Sequence, residues 1–131
     1  MAAVVLDSGA VIAFLRGDRD VTAIIKKAML QDVTLFMPPI VVTQTIRGGG
    51  RDARIYRLLN QGCTVPVTDL SIARRAGGLL GATGASDAAD AQVAAHCIDA
   101  APATLVTSEP DDMRRLLASL PSVRVRAVEA L

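Results

Sequence analysis

Aromatic residues are almost missing from this chain: Phe14, Phe36 and Tyr56 are the only three, with no tryptophan, in 131 residues. Hydrophobic residues nevertheless make up 51%. The core is therefore expected to be aliphatic, with Ala-rich helices that pack closely. Cysteine is scarce as well. Cys63 and Cys97 stand alone without metal-ligand spacing, which excludes a zinc site and reads as two buried, reduced thiols in a cytoplasmic protein. No apolar run approaches the ~18 residues of a membrane span. No basic region precedes the short apolar run at the N-terminus, so no signal peptide is expected.

Lysine is limited to Lys26 and Lys27. That excludes a Walker phosphate loop. It also argues against receiver-like or phosphatase-like domains with an aspartyl nucleophile, which need a partnering lysine late in the chain. Gly48-Gly49-Gly50 lacks the G-x-G-x-x-G pattern and reads as a helix stop. The 11 Asp far outnumber the 2 Glu, and the 12 Arg the 2 Lys, for a net charge of +1. Asp is a good helix cap and a good ligand for hard cations. Arg suits phosphate, because its planar fork donates two hydrogen bonds at once.

The length suits one domain, residues 1–131. It is organised around Ala3-Val4-Val5-Leu6-Asp7-Ser8-Gly9 and the apolar run that follows. Four apolar residues ending in an acid read as a buried parallel strand that turns into a helix. Asp7 then lies just past the carboxyl end of that strand, where open α/β sheets place their ligands. Periodicity predicts helices over 21–30, 40–47, 51–60, 70–82, 87–100 and 109–120. Strands are expected at 33–36, 64–67, 104–106 and 123–128, with 64–67 at an edge because of Pro66. Strands alternating with helices predict a central parallel sheet covered on both faces, an α/β/α sandwich. Arg47, Arg51 and Arg54, followed by Arg57, are spaced to form one basic stripe if the glycines do not rotate them apart. Such a stripe is a candidate RNA contact.

Three segments bring acids to what is expected to be one edge. Asp7 ends the first strand. Asp87 and Asp90 open a helix, with Asp90 on the apolar stripe continued by Val93, Ala94 and Cys97. Glu109 and Asp112 follow the strand Thr104-Leu105-Val106, while Ser108 and Asp111 have the spacing of a capping box. Clustered carboxylates repel unless a cation neutralises them. With oxygen ligands and no His or Cys partner, Mg²⁺ or Mn²⁺ is implied, and such sites activate water against phosphodiesters. The lone His96 falls mid-helix and reads as structural.

VVLDSGAVIAFL, PPIVVTQTIRGG, SDAADAQVAA and LVTSEPDDMRRLL, in this order and spacing, resemble the PIN-domain ribonucleases of the VapC toxin type. The resemblance covers the whole chain. It implies a three-layer α/β/α sandwich and Mg²⁺- or Mn²⁺-dependent cleavage of RNA. It also implies a cytoplasmic setting, a homodimer, and a cognate antitoxin that reaches into the acidic site. By this resemblance the metal ligands fall on Asp7, Asp90 and Glu109. Asp87 and Asp112 are supplementary acids, and the hydroxyls of Ser8 and Thr107 support the ligands. One departure stands out: Gln44 occupies a position where the family commonly has glutamate. It motivates an alternative, a degenerate PIN domain that binds RNA or protein without cutting.

Overall fold

The structure is a computed structural model and describes residues 2–118 and 120–129. Its centre is a five-stranded, all-parallel sheet in the order β3-β2-β1-β4-β5. The strands are β1 (Ala3–Leu6), β2 (Leu35–Phe36), β3 (Cys63–Thr64), β4 (Ala103–Thr107) and β5 (Val123–Ala127). β1 sits in the middle, with Val4 opposite Leu35 on one side and Thr104 on the other. From β1 the chain steps outward to β2 and β3, then crosses back to build β4 and β5 on the opposite side. Right-handed crossovers in opposite directions place helices on both faces. This is the three-layer arrangement expected from the alternating pattern.

The helices are α1 (Ser8–Leu15), α2 (Arg19–Leu30), α3 (Pro39–Thr45), α4 (Ala53–Gln61), α5 (Leu70–Thr83), α6 (Ala88–Ala100) and α7 (Pro110–Leu117). Their starts follow local chemistry. Asp18, Asp69 and Asp87 each cap a helix, accepting from the N–H of Val21, Ile72 and Asp90. Pro39 and Pro110 supply the fixed φ of a first turn. Gly84 closes α5 with φ +71, a left-handed cap that a side chain would strain.

Three expectations change here, the first being the strand expected over 33–36, which is only Leu35–Phe36. The helix expected over 109–120 ends at Leu117, and Ser119 lies outside the described residues. The strand expected over 64–67 is only Cys63–Thr64, although it does form an edge. Pro66 has no N–H to donate, so pairing stops before it.

The core is aliphatic. Val5, Leu6, Val11, Leu35, Leu105 and Val106 are fully buried in one continuous cluster. A smaller cluster, Ile72, Ala76, Ala91 and Ala95, lies where α5 meets α6. Small side chains let these two helices approach closely, which compensates for the lack of aromatics. His96 packs nearby with Nε2 2.7 Å from Thr68 Oγ1, and its burial lowers its pKa. It is structural, as its position suggested.

Candidate metal centre

In a doubly wound sheet the crevice opens where the chain reverses direction across the strands. Here that point lies between β1 and β4, and each of those strands runs into acids at its carboxyl end. Asp7 follows Leu6 directly and caps α1. Its Oδ1 accepts from the Ser8 N–H at 2.8 Å, and its Oδ2 from the Thr107 hydroxyl at 2.7 Å. The Thr107 Oγ1 in turn accepts from the Glu109 N–H at 3.0 Å. One hydroxyl thus ties the acids that follow β1 and β4. Ser8 supports Asp7 through its backbone; the expected support from its own hydroxyl is not among the hydrogen bonds of the described residues.

Asp90 comes from the first turn of α6 and is buried, 9% exposed. Asp87 caps that helix from an exposed position. One carboxylate oxygen from each of Asp90, Glu109 and Asp112 lies within 4.8 Å of the others. Asp112, expected as a supplementary acid, thus stands directly beside Asp90 and Glu109. Asp7 is near enough for its charge to raise the pKa of both Asp90 and Glu109.

The electrostatics show uncompensated acids. Burial, then Asp87, Asp7, Glu109 and Asp112, push the Asp90 carboxyl up to about 7. Burial raises Asp7 above the ordinary carboxylate range, against the lowering by its two hydrogen bonds. Glu109 is raised by desolvation and by the charges of Asp7, Asp112 and Asp87, against a smaller lowering from the neighbouring Asp90 side chain. Carboxyls crowded in this way hold a proton more readily than isolated ones, which offsets their mutual repulsion. A divalent cation would replace that proton.

The donor set fits a hard cation. All donors are oxygens. Opposite ligands of a six-coordinate Mg²⁺ stand ~4.2 Å apart, close to the observed spread, and Glu109 and Asp112 are exposed and free to adjust. A further oxygen is available. Gln44 Oε1 is buried without a hydrogen-bond partner among the described residues. It stands on α3, which packs against α1 and α6, the helices that begin at Asp7 and carry Asp90. A cleft of about 230 Å³ opens onto Asp87, Asp90 and Asp112. A larger groove of about 760 Å³ along α2 and β5 contains no carboxylate in its lining and shares no residue with this cleft.

The arginines are arranged differently from the expected stripe. Arg47 donates to Thr43 O and Ile46 O, and Arg51 to Thr45 O, at the end of α3. Arg54 donates to Leu15 O at the end of α1 and stacks 4.6 Å above the Phe14 ring. The 3-10 turn Gly50–Asp52 separates them, so these guanidiniums serve the carboxyl ends of two different helices. Buried Asp52 organises that turn by accepting from the Arg47 and Gly48 N–H groups. Nothing in its local pattern singled it out. The Ser108–Asp111 capping box does not form either. Glu109 is the cap residue and uses no side-chain bond, while its own N–H is held by the Thr107 hydroxyl.

The PIN domain family model matches residues 4–116. The chain belongs to the PIN domain family. PIN domains are in general nucleases. No curated relative matches the sequence itself, so the likeness is carried by the family pattern and the fold. VapBC2 from Rickettsia felis, solved bound to a DNA fragment from their promoter, is similar at 15% identity and TM-score 0.74, over 97% of this chain and 99% of that one. DNA-bound VapBC from Salmonella typhimurium is similar at 16% and 0.69, over 97% and 98%. FitAB bound to an IR36 DNA fragment is similar at 17% and 0.66, over 95% and 94%. The resemblance read from the motifs and the fold of this PIN domain therefore agree.

Proposed function

We propose that this PIN domain is a Mg²⁺- or Mn²⁺-dependent endoribonuclease, the toxin of a VapBC-type toxin–antitoxin pair. The convergence of Asp90, Glu109 and Asp112 within 4.8 Å, beside buried Asp7, carries this reading. Asp90, Glu109 and Asp112 would hold the ion, with Asp7 joining from behind and Gln44 Oε1 offering a neutral oxygen. When bound, the cation makes water a better nucleophile and stabilises the leaving oxygen of a phosphodiester. The protein's part is positioning. Thr107 fixes Asp7 and the start of α7 together. Glu109 and Asp112 stand on the solvent side, where a carboxylate can take the proton of attacking water. Asp87 adds negative charge at the rim.

The fold's likeness to VapBC and FitAB chains supports a toxin with a cognate antitoxin. An antitoxin would silence the site by placing a cationic side chain among the carboxylates. A homodimer and a cytoplasmic setting belong to the same proposal. No helix among the described residues is long and apolar enough to cross a membrane.

The test is cleavage of a panel of single-stranded RNAs by antitoxin-free protein, with Mn²⁺ and with EDTA. Cleavage that EDTA stops supports the proposal. RNA that binds and survives Mn²⁺ favours the second reading, a binding module, for which the neutral Gln44 is the motive. Gln44→Glu separates the two. An added carboxylate next to a cation is worth on the order of 1.4 kcal/mol, so Mn²⁺ should bind about tenfold tighter. The metal-free variant should melt lower, since another acid joins the cluster. Unchanged Mn²⁺ affinity by calorimetry would remove Gln44 from the site.

A further inference from the structure

The acidic cleft has one basic wall. Arg115, in the last turn of α7, lines it together with Asp87, Asp90 and Asp112. A guanidinium beside three carboxylates would ordinarily pair with one of them, because opposite charges attract and the paired bond is charge-assisted. Arg115 makes no ion pair among the described residues. Instead its Nη2 donates to Thr83 O at 3.0 Å, across 32 residues of chain. That carbonyl ends α5, so the helix dipole adds to the attraction. The bond holds the guanidinium at the cleft wall and leaves its other N–H groups without a protein acceptor among the described residues. Its neighbour Arg114 faces elsewhere, 3.9 Å from exposed Asp111.

We infer that Arg115 is a substrate-positioning residue, which receives a non-bridging phosphate oxygen of an RNA strand entering the acidic cleft. The inference rests on the nuclease reading for its substrate class. The physical need is plain. Asp87 and Asp112 are exposed at the cleft and repel a phosphodiester. A cation held by the carboxylates answers that repulsion on one side. A fork already fixed at one nitrogen answers it on the other, and loses little side-chain entropy on binding. Arg47, Arg51 and Arg54 bond at the ends of α3 and α1 and do not line the cleft, so Arg115 is the arginine the cleft itself presents.

The bland alternative is that Arg115 only ties α7 to the end of α5. Arg115→Gln keeps an N–H donor for Thr83 O and removes the charge; Arg115→Lys keeps the charge and loses the fork. Arg114→Ala is the control. Binding of a labelled, mixed-sequence single-stranded RNA is measured by anisotropy, in EDTA and with Ca²⁺, between about 50 and 200 mM salt. Arg115→Gln should bind about tenfold more weakly, with the salt slope reduced by about 0.7, the value for one phosphate contact on a single strand. Arg115→Lys should recover part of both, and Arg114→Ala should match the wild-type chain. Melting temperatures report the tie to α5 separately.

RNA affinity and salt slope unchanged in Arg115→Gln would overturn the inference, whatever its melting temperature. Mn²⁺-dependent cleavage by the wild-type chain decides the nuclease reading independently. Cleavage with Arg115-independent binding sinks the inference alone. Arg115-dependent binding without cleavage keeps the inference and transfers it to a binding module. Neither binding nor cleavage by the wild-type chain ends both.

Discussion

Asp90→Asn is expected to abolish Mn²⁺-dependent cleavage and, at the same time, to make the metal-free protein more stable. Both effects come from the same carboxylate. Asp90 is buried beside Asp7, Asp87, Glu109 and Asp112, and its pKa rises to about 7. Between about pH 4 and 7 the unfolded chain has released this proton while the folded chain retains it. The folded state then binds more protons, so its stability falls as pH rises through that window. Asparagine is nearly isosteric and uncharged, so it removes the repulsion without opening a cavity. The cap is preserved, because Asp87 accepts from the backbone N–H of residue 90. In EDTA at pH 8 the variant should therefore melt roughly 3–8 °C higher than the wild-type chain, with the gap closing toward pH 5. Comparison at each pH matters, because His96, whose pKa is lowered, loses stability in the opposite direction as pH falls. The cation loses a buried charged ligand, so affinity and cleavage should drop at least about 100-fold. A variant that still binds Mn²⁺ at wild-type strength would place the metal elsewhere. One that melts lower in EDTA at pH 8 would show that charge is not the strain at this position.

That coupling of function and strain also explains what the sequence made legible. β1 is readable because a strand buried on both faces is a continuous apolar run. Asp7 is conspicuous because an acid ends that run where water is far away. The same logic marks Glu109 after β4, and the helical stripe through Val93, Ala94 and Cys97 marks Asp90. Each signal is local, and the sheet order converts three local signals into one site. Cys97 reports the convergence too: its thiol is raised by burial and then by the charge of Asp7.

What stayed hidden depends on who meets whom. The arginine spacing suggested a stripe, but spacing along a helix says nothing once a 3-10 turn intervenes, and carbonyls at the ends of α3 and α1 claimed the forks. The capping box at Ser108 was locally sound. The cap residue instead falls one position later, on Glu109, whose N–H is held by a Thr107 hydroxyl that Asp7 positions from 100 residues away. Asp112 looked supplementary by motif, whereas one turn of α7 brings it level with Glu109 beside Asp90. Arg115 carried no signal, because its partner is a backbone carbonyl on another helix.

Gly9 is the residue whose importance is least visible in sequence and most demanding in structure, and Gly9→Ala should damage fold and site together. A Cβ there would overlap Ser108 Oγ and lie 2.6 Å from Ser108 Cβ and 3.1 Å from its N. Rotating the serine hydroxyl cannot clear its own Cβ, so the start of α1 and the turn after β4 must move apart. The Asp7–Thr107 hydrogen bond spans that same seam, one residue from Ser108 and two from Gly9. Overpacking of this kind costs about 1–3 kcal/mol, and a displacement of ~1 Å at a catalytic constellation can cost ~100-fold in rate. The melting temperature and the Mn²⁺-dependent rate should both fall. Deleting the opposing side chain supplies the decisive control. In Gly9→Ala/Ser108→Gly the overlaps with Oγ and Cβ disappear and one tight contact remains, 3.1 Å to the N of residue 108, so stability and rate should recover together in large part. If the double variant stays as impaired as Gly9→Ala, the contact across the seam is not what requires glycine. If Gly9→Ala melts lower but cleaves at the wild-type rate, the seam is structural and does not set the geometry of Asp7 and Glu109.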